Sequence, residues 1–80
     1  MDILETYRTS DIVLASFLCL EGYEVSDIEC NGNKGTFIFK QVKQELITTF
    51  DLGSARVEPI AFNSAIRRLT TATKRKISMS

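Results

Sequence analysis

Apolar residues crowd the first part of the chain and then thin into periodic patterns. Ile12, Val13, Leu14, Ala15, Phe17, Leu18, Cys19 and Leu20 are almost consecutive. Wound at about 100° per residue they cover nearly the whole circumference of a helix, which predicts a first helix buried on several sides. Residues 7–23 are read as that helix. Thr9 or Ser10 is its expected cap, Asp11 lies in the first turn, and Gly22 sits where a left-handed C-cap belongs. Residues 23–30 then alternate, first through Tyr23 and Val25 and then, out of phase, through Ile28 and Cys30. That change of parity predicts a bulge near Ser26 and Asp27. The cluster NGNKG is a turn, and residues 36–40, TFIFK, make a second strand. Together they form one antiparallel hairpin.

Beyond the hairpin the spacing lengthens. Val42, Leu46, Ile47 and Phe50 recur at helical intervals, and Gly53 closes a second helix over 42–53. Glu58 precedes a proline and is driven out of the helical region, while Pro59 suits a first turn. Phe62, Ile66, Leu69 and Thr73 then line one side of a third helix, flanked by Ala65 and Ala72. The expected fold is α+β, a single domain over 1–80 with an ordered core of about 7–77. Its order is α-β-β-α-α, one antiparallel hairpin packed with three helices.

The outer side of the third helix changes the picture. From 59 to 77 it carries Arg67, Arg68, Lys74, Arg75 and Lys76 and no carboxylate. Arg67 aligns with Lys74 and Arg68 with Arg75, and Ser64 and Thr71 lie between the rows. Arginine, lysine and hydroxyl groups are the usual donors to phosphate oxygens. Cations late in a helix also oppose its dipole, so a plain solvated face is a competing reading. Most solvated helices, though, mix signs and gain i, i+4 pairs. The whole chain is neutral, yet residues 1–30 carry a net −6, 31–53 a net +1 and 54–80 a net +5. Asp2, Glu5, Glu21, Glu24, Asp27 and Glu29 supply the acidic head. This split suits nucleic-acid contact, an acidic protein partner, internal pairing, or a homodimer in which each basic helix meets the other copy's acidic hairpin.

Catalytic chemistry is thin. The chain has no histidine, so the commonest general base and metal ligand is missing. Cys19 and Cys30 are too few and too far apart for a zinc site, and no phosphate-binding glycine loop is present. Asp27 and Glu29 share a strand face and read as solvated. Phe37 and Phe39 share another and read as core in so small a fold, in preference to base-stacking residues beside Lys34 and Lys40. No catalytic residue, metal or cofactor is expected. The N-terminus has acids where a secretion signal carries bases, and no run approaches a membrane span. A reducing, cytoplasmic compartment is expected, with both cysteines free.

Tyr7, Thr9, Ser10, Asp11, Ala15, Leu18, Gly22 and Tyr23 make the pattern YxTSDxxxAxxLxxxGY. Later come Arg56, Val57, Glu58, Pro59, Phe62 and the run NSAIRRL. These residues resemble a family of short, functionally uncharacterised domains of bacteria, phage and mobile elements. The likeness runs over about 7–70 and brings no catalytic residues. It implies a small accessory protein that binds nucleic acid or inhibits or redirects a host protein. The motif residues themselves read as structural: a cap at 9–11, a helix stop at Gly22, a helix start at Pro59, and Tyr7 stapled against the first turn.

Overall fold

The computed structural model describes residues 3–32, 34–53 and 55–79. Its elements are β1 (Ile3–Thr9), α1 (Ile12–Leu20), β2 (Asp27–Asn31), β3 (Lys34–Lys43), α2 (Gln44–Asp51) and α3 (Pro59–Met79). The class is α+β, but the order is β-α-β-β-α-α. In place of a lone hairpin there is a three-stranded antiparallel sheet, β1-β3-β2.

The added strand is β1. Residues 7–9, expected to open the first helix, belong to it and pair with β3 from Ile3↔Lys43 to Thr9↔Phe37. Tyr7 therefore reaches the core from a strand, opposite Phe39, and does not staple a helix. The helix begins later, capped by Asp11. Its carboxylate accepts from the backbone N–H of Val13 at 2.9 Å and of Leu14 at 3.4 Å. Thr9 does not cap the helix; its hydroxyl accepts from the Asp11 N–H at 3.1 Å and fixes the corner between strand and helix. At the other end Gly22, at φ +98°, closes a Schellman turn. The Gly22 N–H donates to the Cys19 carbonyl and the Tyr23 N–H to that of Leu18, both at 3.1 Å.

Two further boundaries differ from expectation. The alternation assigned to residues 23–26 is not strand; β2 starts at Asp27. The parity change is therefore the point where an irregular segment joins the sheet, and the Ser26 N–H donates to the Ile38 carbonyl at 2.7 Å. Val42, expected in the second helix, lies in β3 and is fully buried. It is buried because β3 changes phase. Phe39 and Val42 both face inward with Lys40 and Gln41 exposed between them, and Gln41 adopts φ +57°. Opposite, Leu4 and Tyr7 turn inward with Glu5 and Thr6 exposed between them. The paired strands shift together, so the register survives.

The core joins α1 to one face of the sheet. Leu14, Ala15, Phe17 and Leu18 pack with Phe37, Phe39 and Val42, with Ile47 from α2 and Leu69 from α3. Phe37 and Phe39 are 2% and 0% exposed, so both are core residues. The Phe17 and Phe50 rings lie 5.6 Å apart, tying α1 to α2. Ser16, buried among apolar groups, donates to the Ile12 carbonyl at 2.7 Å, so its hydroxyl is satisfied. On the sheet's other face Ile38 is covered by an ion pair. Arg8 on β1 reaches Glu29 on β2 at 2.7 Å, across the central strand.

Candidate nucleic-acid interface

α3 carries the cations, and its start is built to hold it. Glu58 is the cap: its carboxylate oxygens accept from the Ile60 N–H at 3.0 Å and the Ala61 N–H at 2.7 Å. These bonds hold the Glu58 carboxyl below the ordinary carboxylate range. Helical spacing then seats Ala65 and Leu69 in the interior, with Phe62 packed against the core. Thr73 closes against β3 at Gly35. A Cβ on that glycine would stand 2.5 Å from the Thr73 Cγ2, so any larger residue there would force the threonine methyl or the helix to shift.

With that side fixed, Ser64, Arg67, Arg68, Thr71, Lys74 and Arg75 are all exposed. The structure thus brings six of the seven expected residues onto one flank of α3. Lys76 differs. One residue is about 100° of rotation, which carries it away from Arg75 and toward the sheet. Its Nζ lies 3.9 Å from Asp27 Oδ1 on β2. Arg68 also faces two ways. It borders a recess at the end of α1 with Cys19, Tyr23 and Glu24. Burial pushes the Cys19 thiol up, and the Arg68 charge pulls it partly back. The most outward cations are therefore Arg67, Lys74 and Arg75.

The acidic residues do not gather in the same way. Glu5 lies on β1, Glu21 and Glu24 at the end of α1, and Asp27 and Glu29 on β2. Glu29 is engaged by Arg8, and Asp27 accepts from the Ile28 N–H at 2.8 Å as well as facing Lys76. Asp2 lies outside the described residues. Among the described residues no three carboxylates or thiols converge as metal ligands. Cys19 and Cys30 are both free. No helix among them is long and apolar enough to cross a membrane.

One feature went unread in the sequence. A groove of about 320 Å³ opens between the start of α1, the start of β3 and the last turns of α3. It combines residues more than 60 positions apart, Ser10 and Lys74 among them. No periodicity reports such a meeting. No family model, curated protein or solved structure matches the chain.

Proposed function

We propose that the chain is a small non-catalytic accessory protein of phage or mobile-element type that binds the nucleic-acid backbone through α3. One observation carries the reading: Arg67, Arg68, Lys74 and Arg75 stand exposed along a helix flank that holds no carboxylate. Guanidinium and ammonium groups form charge-assisted bonds to phosphate, and Ser64 and Thr71 add neutral donors between them. Contacts of this kind read no sequence, so binding is tolerant of base order. A cytoplasmic site of action goes with the proposal, because free thiols and nucleic acid share reducing compartments.

Four phosphate contacts release about three counterions from a single strand, a log–log salt slope near −3. Affinity then falls roughly fifty-fold between 50 and 200 mM salt. Titration of labelled DNA and RNA at several salt concentrations measures that slope. Arg67→Glu with Arg75→Glu abolishes the shift at low salt if the proposal holds. Binding unchanged by that pair refutes it.

The second reading is a module that inhibits or redirects a host protein through its acidic half. Spreading of the acids over three elements, and the engagement of Glu29 by Arg8, weigh against it. Isolation of the tagged protein with and without nuclease separates the two. A protein partner that survives nuclease supports the second; recovery of nucleic acid alone supports the first.

A further inference from the structure

We infer that the groove beside α3 takes one unstacked base of a single-stranded nucleic acid, whose phosphates run along the outer cations of that helix. The inference rests on the backbone-binding proposal and adds to it which form of nucleic acid is bound. The apolar part of the groove lining is Ile12, Phe37 and Ile77, from three different elements. Phe37 contributes only an edge, since it is 2% exposed. Ser10 and Thr70 stand at the wall, each able to donate and to accept a hydrogen bond. Lys34 and Lys74 bring two positive charges to it from β3 and α3, and among the described residues no carboxylate lines it.

An apolar lining with hydroxyl walls and flanking cations fits a flat, weakly polar ring joined to an anion. The attraction comes from the two ammonium groups and not from the start of α1, whose Val13 and Leu14 N–H groups are already taken by Asp11. The volume lies at the low end for small-molecule sites, which suits a single base. Lys74 also borders a shallow recess with Thr71, Arg75 and Ser78 on the outer side of α3. It therefore belongs to both surfaces. A strand held by Arg67 and Arg75 passes Lys74 on its way into the groove. A duplex keeps its bases stacked and paired and has none to offer; a single strand offers each in turn.

The test compares fluorescein-labelled oligothymidylate of about twelve nucleotides with a duplex of the same length, at low salt. The single strand is expected to bind about tenfold more tightly, the scale of one sheltered base. Ser10→Trp fills the groove from its wall. Ser10 is exposed, so the core is untouched, and the chain otherwise lacks tryptophan, so its emission reports the filled groove. Circular dichroism checks that the variant folds, and Lys34→Glu is the second variant. Both variants should erase most of the single-strand preference while duplex binding persists, less weakened by Ser10→Trp than by the charge reversal. Equal binding of strand and duplex by the parent protein, or a preference that survives both variants, overturns the inference and leaves the backbone proposal standing. Binding of neither form overturns both. Thymidine monophosphate bound as tightly as the strand also overturns it, because the outer cations then add nothing.

Discussion

Asp11 and Glu58 do the same work at the starts of α1 and α3, each satisfying two N–H groups that a helix start leaves open. Asp11→Ala should cost about 1 kcal/mol. For a domain of this size that lowers the thermal midpoint by roughly 4–8 °C. Glu58 gives a pH signature. Its folded carboxyl is held low by the Ala61 and Ile60 N–H groups. Its stabilisation is therefore complete above the ordinary glutamate range and is lost as pH falls through the lowered folded value. The midpoint difference between the parent and Glu58→Gln should be steady down to about pH 5 and close below about pH 4. A difference that stays constant through the acid range would show that the charge is not what caps the helix. Gly35 carries the sharpest steric constraint. Gly35→Ala should destabilise by about 1–3 kcal/mol, as overpacking does. Thr73→Ser removes the clashing methyl and should restore most of that loss, which denaturant titration of the double variant measures.

Among the elements, β3 bears the most. It is the central strand, it supplies Phe37, Phe39 and Val42 to the core, and its phase shift at Gln41 turns both Phe39 and Val42 inward. Phe39→Ala should cost about 3–5 kcal/mol. Total stability for a domain of this length is only about 4–12 kcal/mol. The variant is expected to lose its cooperative thermal transition or to show one far below the parent's, by circular dichroism. Arg8→Ala is the contrast. It removes an exposed pair and uncovers Ile38, and exposed pairs contribute about 0–1 kcal/mol. The gap between these two variants measures how much more the inner face of the sheet contributes than the outer.

At the scale of the molecule, the charge split is partly resolved within the chain. The basic helix meets the acidic strand where Lys76 faces Asp27, while Arg67, Lys74 and Arg75 stay exposed. A charge-driven homodimer is left with Arg67, Lys74 and Arg75 on one side and the exposed Glu5, Glu21 and Glu24 on the other. Contacts so exposed are screened beyond about 8 Å at physiological salt. Light scattering should therefore show a dimer at low salt and high concentration and a monomer at physiological salt. A dimer indifferent to salt would need apolar or backbone contact. Phe37 and Phe39 are buried and do not supply it, whereas the edge strand β1, with Ile3 half exposed, does.

The sequence alone determined what local physics controls. The apolar run 12–20 made a buried helix because its pattern leaves no polar side. Gly32, within NGNKG, turns the chain between β2 and β3, TFIFK lies within β3, Pro59 opened a helix, and helical spacing set which side of α3 faces water. These outcomes depend on neighbours within a few positions. β1 was not legible, because the hydroxyls and acid at 9–11 imitate a longer helix start, and a lone edge strand gains its stability only from a partner far along the chain, from Thr9↔Phe37 to Ile3↔Lys43. The same holds for Val42, whose helical spacing was overridden by pairing with Leu4. Lys76 joined the basic face by sequence and left it by rotation and by the nearness of Asp27. The groove between Ser10, Lys34 and Lys74 was decided wholly by tertiary structure, since it exists only where α1, β3 and α3 converge.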